Sequence, residues 1–176
     1  EKGSIFVSTT GMASRELYEI RDRNEEYHDS DFLTVGSMGH SSQIALGIAL
    51  NRPERRIVCI DGDGAVIMHM GGMSTIATMT PSNIIHIMIN NGVHDSVGGQ
   101  PTTSREIDIH GIAESMGYKH VFTVETKEEL EKALECKEGP VFLQVMVRRG
   151  NRKDLGRPKS TPAENKNALM KNIGSI

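Results

Sequence analysis

Short, continuously apolar runs recur along the chain and are separated by longer stretches in which apolar and polar residues mix. Strands that are covered on both faces of a parallel sheet have this composition, whereas half-exposed antiparallel strands would alternate. The pattern therefore predicts strands at residues 4–8, 32–35, 57–60, 84–89, 120–124 and 141–147.

The stretches between these strands have lengths and compositions suited to crossover helices. Helices are predicted at residues 13–24, 41–50, 68–78, 106–116 and 127–135. Thr126 is a suitable N-cap for the last of them, and the turn sequence Gly139-Pro140 ends it before the final strand. Together the elements predict an α/β domain, a doubly wound parallel sheet flanked by helices, over residues 1–150.

The composition changes after the last predicted strand. Basic residues follow it, and few apolar residues appear before residues 168–170. We therefore expect residues 151–176 to form a surface tail that ends in a short helix. The basic side chains are expected to form a solvated face; they are Arg148, Arg149, Arg152 and Lys153.

Length and charge limit the class of protein. The 176 residues, 37% of them hydrophobic, suffice for one compact domain. A net charge of −3 gives no basic surface for nucleic acid or an anionic membrane, and we expect neither partner. No apolar run has the length of a membrane span, and no signal-peptide pattern is present.

Cys59 and Cys136 have neither metal-ligand spacing nor a disulfide pattern, which favours a reducing cytoplasm. The sequence begins at Glu1 without a methionine and enters a strand almost directly. We therefore expect it to be a fragment or a processed half of a longer protein.

Polar residues follow two predicted buried strands. Asp61 and Asp63 bracket Gly62 after the third strand, and Asn90-Asn91 follow the fourth. The carboxyl ends of parallel strands meet at one edge of a sheet, where ligands of such folds bind. Carboxylate and amide oxygens suit Mg²⁺. This edge is therefore a candidate site for a metal and diphosphate.

Gly64 and Ala65 lead toward a helix, whose free N–H groups would attract an oxyanion such as diphosphate. Taken alone, Gly62-Asp63-Gly64 more often marks an ordinary tight turn than a ligand site. A Rossmann dinucleotide site is disfavoured because Ile67 stands where the third glycine belongs, and no Walker lysine follows.

The spacing from Gly62-Asp63-Gly64 to Asn90-Asn91 resembles the cofactor motif of thiamine diphosphate enzymes, and the resemblance covers nearly the whole chain as their diphosphate-binding domain. It implies that Mg²⁺ is bound by the side chains of Asp63 and Asn91 and by the carbonyl of Val93. Diphosphate would lie against Gly62, Gly64 and Ala65. Thr9 and Thr10 could also meet it, although hydroxyl residues before a helix are equally explained as N-caps.

The loop from Gly36 to His40 resembles the family's loop under the aminopyrimidine ring. The resemblance implies that the Gly36 carbonyl accepts a hydrogen bond from the pyrimidine amino group. The Met38 side chain would hold the cofactor in its bent form, whereas without the other motif Met38 would be read as a core residue. His40 lies beside this loop and is a candidate cofactor contact.

Residues 90–102 and 9–17 resemble phosphonopyruvate decarboxylases, with sulfopyruvate decarboxylases as near relatives. The implied reaction is the decarboxylation of phosphonopyruvate, a small anionic 2-oxo acid, to phosphonoacetaldehyde and CO₂. His94 and Gln100 could contact the substrate, and Asp95 could take part in proton transfer. Five other histidines are expected to be structural, namely His28, His69, His86, His110 and His120.

In the family, a glutamate that activates the pyrimidine ring belongs to a separate domain. No predicted segment of this chain can be that domain. The resemblance therefore implies a partner domain or subunit in a homo-oligomer or hetero-oligomer, and we expect this chain alone to be inactive. Two other readings stay open, a non-catalytic cofactor-binding subunit and a bare phosphate-binding α/β domain.

Overall fold

A parallel sheet of six strands forms the centre of the computed structural model, which describes residues 3–174. The strands in chain order are β1 Ile5–Ser8, β2 Asp31–Leu33, β3 Ile57–Gly62, β4 Ile84–Asn90, β5 Val93–His94, β6 Gln100–Pro101, β7 His120–Val124 and β8 Val141–Met146. The sheet has the order β2-β1-β3-β4-β8-β7, and β5 and β6 form a separate antiparallel pair. The predicted parallel sheet is confirmed, with strand limits that differ by one or two residues.

Helices cover both faces of the sheet. They are α1 Met12–Arg23, α2 Ser41–Asn51, α3 Asp63–Met68, α4 Gly71–Met79, α5 Ile109–Met116, α6 Lys127–Leu134 and α7 Pro162–Asn172. Side chains of α2, α4 and α5 join the largest apolar core, whereas α1 and α6 pack in two smaller clusters that contain Leu17 and Ala133. None of the helices within residues 3–174 is long and apolar enough to cross a membrane.

The predicted helix at residues 68–78 has the wrong limits. Helix α3 begins at Asp63, directly after β3, and α4 begins only at Gly71. In the first turn of α4, the Gly72 carbonyl accepts a hydrogen bond from Gln43 Nε2 at 2.9 Å. A Cβ atom at Gly72 would lie 2.5 Å from that nitrogen. Glycine therefore permits the close approach of the Gln43 side chain. Asp63 consequently lies in the first turn of a helix and not in a loop.

Side-chain caps set two other helix starts. The predicted helix at residues 106–116 begins later, at Ile109, because the Asp108 carboxylate accepts from the Gly111 backbone N–H at 3.0 Å. The predicted N-cap at Thr126 is confirmed. Thr126 and Glu129 form a reciprocal capping box at the start of α6.

The C-terminal region packs on the sheet. The predicted short helix is present as α7, and its Leu169 side chain is buried in the main core. Asn165 bonds to the edge strand β2: Leu33 N donates to its Oδ1 at 2.9 Å, and its Nδ2 donates to the Asp31 carbonyl at 2.8 Å. Helix α7 thus satisfies backbone groups of the edge strand.

Substitution of Asn165 by alanine should leave both of these buried backbone groups of β2 without partners. We expect the free energy of unfolding to fall by about 2 kcal/mol, the cost of unsatisfied buried polar groups. Urea unfolding of the chain measures this. The matched control is Asn167→Ala on an exposed position of the same helix, which should change stability by less than about 0.5 kcal/mol. Equal losses in both variants would contradict the role of Asn165.

Candidate functional site

A crevice forms where the connections from two neighbouring strands diverge. Strand β1 lies between β2 and β3 in the sheet. The chain that leaves β1 returns in β2, whereas the chain that leaves β3 returns in β4, so the two connections run in opposite directions along the sheet. Ligands of open α/β sheets bind at such a switch point. A cavity of about 380 Å³ lies there, with Thr9 after β1 and Asp63 after β3 in its wall.

Most of the predicted site residues line this cavity. They are Thr9, Thr10, Met38, Gly62, Asp63, Gly64, Asn91, Val93, His94 and Asp95. Four others do not line it: Gly36 and Gln100 are exposed, the His40 ring lies 4.6 Å from the ring of His69, and Ala65 is fully buried within α3. The roles of all the predicted site residues stay predictions.

The Asp63 carboxylate is held by hydroxyl groups from a distant loop. Only 2% of Asp63 is exposed, and its Oδ2 accepts a hydrogen bond from Thr102 and lies 2.8 Å from Ser104 Oγ. Ser104 Oγ is also 2.8 Å from Asn90 Oδ1, so its single proton can serve either oxygen. Sequence reasoning missed both hydroxyl residues; the run Thr102-Thr103-Ser104 was the available signal.

The two asparagines after β4 have different tasks. Asn90 is fully buried, and its Oδ1 accepts from Gly92 N at 3.1 Å. Asn91 faces the cavity; its Oδ1 accepts from Val93 N at 3.0 Å, and its Nδ2 donates to Asp95 Oδ2 at 2.8 Å. These bonds fix the turn and place the Asn91 amide beside the cavity.

Asp95 connects two segments that line the cavity. Its Oδ2 accepts from Asn91 Nδ2 and also from Gly150 N at 3.2 Å, so it joins the turn after β4 to the chain after β8. These contacts fix the position of the surrounding backbone. The role of Asp95 in proton transfer stays a prediction.

The cavity residues fit a magnesium diphosphate group chemically. The Thr9 hydroxyl oxygen is buried and has no hydrogen-bond partner within residues 3–174, although Thr9 lines the cavity. A buried hydroxyl group without a partner is costly, and a phosphate oxygen would accept a hydrogen bond from it. A carboxylate from Asp63 and an amide from Asn91 add the hard oxygen ligands that Mg²⁺ prefers.

Close approach of His94 requires Gly64. A Cβ atom at residue 64 would lie 2.2 Å from His94 Cε1, a distance that no side chain tolerates. Without that atom, the imidazole lies against the first turn of α3, in the wall of the cavity. The structure therefore brings His94 to the predicted site.

A second polar cluster is buried in the core. Ligand atoms of Cys59, Asp61 and His86 lie within 4.8 Å of one another. His86 Nε2 is 3.3 Å from Asp61 Oδ2, and its Nδ1 is 3.1 Å from Tyr118 Oη. Burial raises the pKa of the Cys59 thiol and of the Tyr118 hydroxyl group well above their usual values, so both are neutral at pH 7. The cluster is a hydrogen-bonded part of the core, in agreement with the structural role predicted for His86.

Replacing His86 with phenylalanine should remove the hydrogen-bond partner of a buried carboxyl group. We expect the free energy of unfolding at pH 7 to fall by about 3 kcal/mol, because Asp61 stays buried without compensation. Urea unfolding tests this. Adding Asp61→Leu to the variant should recover part of the loss; a double variant less stable than His86→Phe alone would contradict the interpretation.

Comparisons with known proteins agree with this geometry. The model of the family "Thiamine pyrophosphate enzyme, C-terminal TPP binding domain" matches residues 7–145. A phosphonopyruvate decarboxylase of Streptomyces viridochromogenes is 42% identical over 93% of this chain. This chain spans only 40% of that relative's length.

A sulfopyruvate decarboxylase subunit beta from Methanothermobacter thermautotrophicus is 40% identical over 84% of this chain and 75% of the relative. Among solved structures, the fold resembles that of a protein isolated from Mycobacterium smegmatis and thought to be a thiamin diphosphate-dependent enzyme. The TM-score is 0.59 at 25% identity, over 81% of this chain and 33% of that one.

Proposed function

Because the chain belongs to the thiamine pyrophosphate enzymes as their C-terminal TPP binding domain, we propose that it supplies half of a decarboxylase active site. The proposed reaction converts phosphonopyruvate to phosphonoacetaldehyde and CO₂, in line with the likeness to the Streptomyces enzyme. The observation that carries the proposal is the cavity that brings Thr9, Asp63 and Asn91 together at the switch point of the sheet.

Three groups of residues would hold the cofactor. Asp63, Asn91 and the Val93 carbonyl would bind Mg²⁺. Diphosphate would be bound by Thr9, Thr10, Gly62, Gly64 and Ala65. The pyrimidine ring would be bound by Gly36, Met38 and His40. The buried Thr9 hydroxyl and the carboxylate of Asp63 support the first two assignments.

Thiamine diphosphate, when bound, supplies an electron sink for the carbanion that remains after CO₂ leaves. The protein binds and orients the reactants. Thr102 and Ser104 hold the Asp63 carboxylate in one position for the metal. His94 lies in the wall of the cavity, where a ring nitrogen can donate to the substrate carboxylate or transfer a proton. Apolar side chains such as Met38 form part of the cavity wall.

The proposal includes a partner. The activating glutamate would come from a pyrimidine-binding domain, carried either by the same polypeptide or by another subunit of a homo-oligomer or hetero-oligomer. The short span of this chain relative to the Streptomyces enzyme supports that requirement. The free cysteines Cys59 and Cys136 fit the reducing cytoplasm as the compartment.

A second candidate function is that of a sulfopyruvate decarboxylase subunit. This chain covers 75% of the length of the Methanothermobacter subunit beta but only 40% of the length of the phosphonopyruvate decarboxylase. Such a subunit would use the same metal and diphosphate site. The two candidates differ in the anionic group of the substrate, a sulfonate or a phosphonate.

Cofactor binding tests the metal site. We expect Asp63→Ala to weaken the Mg²⁺-dependent binding of thiamine diphosphate at least tenfold, because the variant loses a charged ligand. Calorimetric titration of the chain assembled with its pyrimidine-binding domain measures this. The control Glu128→Ala removes the same charge from the exposed first turn of α6 and should bind normally. Absence of Mg²⁺-dependent binding in the wild-type protein would refute the proposal.

Turnover tests the need for a partner and the identity of the substrate. The isolated chain should release no CO₂ from phosphonopyruvate, sulfopyruvate or pyruvate, because the activating glutamate is missing. Addition of the pyrimidine-binding domain should restore decarboxylation, with the highest kcat/KM for phosphonopyruvate. Activity of the isolated chain would contradict the partner requirement, and preference for sulfopyruvate would select the second candidate.

A further inference from the structure

The segment after β8, residues 147–152, passes over the cavity at the switch point. At its start, Val147 N donates to the Asn90 carbonyl at 2.9 Å, which extends the pairing of β8 with β4. In its middle, Gly150 N donates to Asp95 at 3.2 Å. At its end, Arg152 Nε donates to Glu16 on α1 at 3.0 Å. The segment is therefore fixed on both sides of the cavity.

Neighbouring arginines in this region have different surroundings. Arg152 is paired with Glu16 and Glu19, so its charge is used within the fold. Arg148 lines the cavity and takes part in none of the ion pairs found among the described residues, whereas Arg149 does not line the cavity; both residues are exposed. The basic side chains that were expected to form one solvated face therefore have different surroundings. Arg152 forms ion pairs within the fold, and Arg148 lines the cavity.

Arg148 is the one lysine or arginine among the described residues that line the cavity. The other charged side chains there are carboxylates, those of Glu16, Asp63 and Asp95. Glu16 is already paired with Arg152, so the negative charge that would repel an anionic substrate comes from Asp63 and Asp95 unless a cation compensates. Arg148 can provide that positive charge, because it lines the cavity two residues before Gly150, whose N–H bonds to Asp95 in the same wall.

We propose that Arg148 binds the anionic tail of the substrate, the phosphonate or sulfonate on carbon 3, and so selects for substrates that carry it. This inference rests on the proposed function. A guanidinium group presents paired N–H donors that match the oxygens of a tetrahedral oxyanion. Pyruvate has a methyl group at that position and gains nothing from Arg148. Asp95 contributes indirectly, because it holds Gly150 and thereby positions the segment.

Direct binding tests the proposal without turnover. The probe is 3-phosphonopropanoate, which carries the phosphonate but lacks the reactive ketone. It is titrated calorimetrically into the enzyme assembled with its pyrimidine-binding domain, Mg²⁺ and thiamine diphosphate. We expect Arg148→Gln to weaken binding roughly 10-fold to 100-fold, as for the loss of a charge-assisted hydrogen bond. Arg149→Gln, the matched control, should bind within about twofold of wild type. Arg148→Lys should retain part of the affinity because it keeps the charge.

Two results would overturn the role of Arg148. Equal losses in Arg148→Gln and Arg149→Gln, or no loss in either, would show that Arg148 makes no specific contact. A loss of thiamine diphosphate affinity in Arg148→Gln would place its guanidinium on the cofactor diphosphate and not on the substrate.

Kinetics separate this inference from the proposed function. In Arg148→Gln the ratio of kcat/KM for phosphonopyruvate to that for pyruvate should fall at least tenfold, mainly through a higher KM for phosphonopyruvate. If wild type decarboxylates phosphonopyruvate and the ratio does not change, only the role of Arg148 fails. If wild type decarboxylates no 2-oxo acid, the proposed function fails, and the binding titration still decides the role of Arg148.

Discussion

Burial of the Asp63 carboxylate constrains the whole site. A carboxylate removed from water is costly unless hydrogen bonds or a cation compensate. Here the hydroxyls of Thr102 and Ser104 provide the compensation, and they come from a loop far along the chain. The β5–β6 hairpin carries that loop back over the sheet edge. The geometry of this sheet edge, the proposed metal site, therefore depends on a long excursion of the chain, and not only on the strand ends.

The order of the strands determines which segments meet. Strand β8 inserts between β4 and β7, so the chain leaving β8 runs beside the turn that leaves β4. Asp95 from that turn can therefore bond to Gly150, and Arg152 can reach α1. The same strand order that creates the crevice also brings a basic segment to it. The proposed cofactor residues and the proposed substrate residue thus share one topological origin.

The strands and most cavity residues were predictable because apolar runs report burial, and because parallel strands place their carboxyl ends together. The contacts of Thr102 and Ser104 were not, since nothing in a run of hydroxyl residues identifies a partner about 40 positions away. Arg148 and Arg149 are indistinguishable in the sequence, and only the path of the backbone separates them. The start of α3 was missed because the Gly-rich sequence around Asp63 is typical of a loop.

The cavity lining supports the proposed requirement for another domain. Glu16 is the one glutamate among the described residues in its wall, and its carboxylate is engaged by Arg152, which fixes α1 to the segment after β8. A carboxylate held by this ion pair is already occupied in fixing the fold and is not free to contact a pyrimidine ring. Under the proposed function, the activating glutamate must reach the cofactor from the open side of the cavity, and a pyrimidine-binding domain would supply it there.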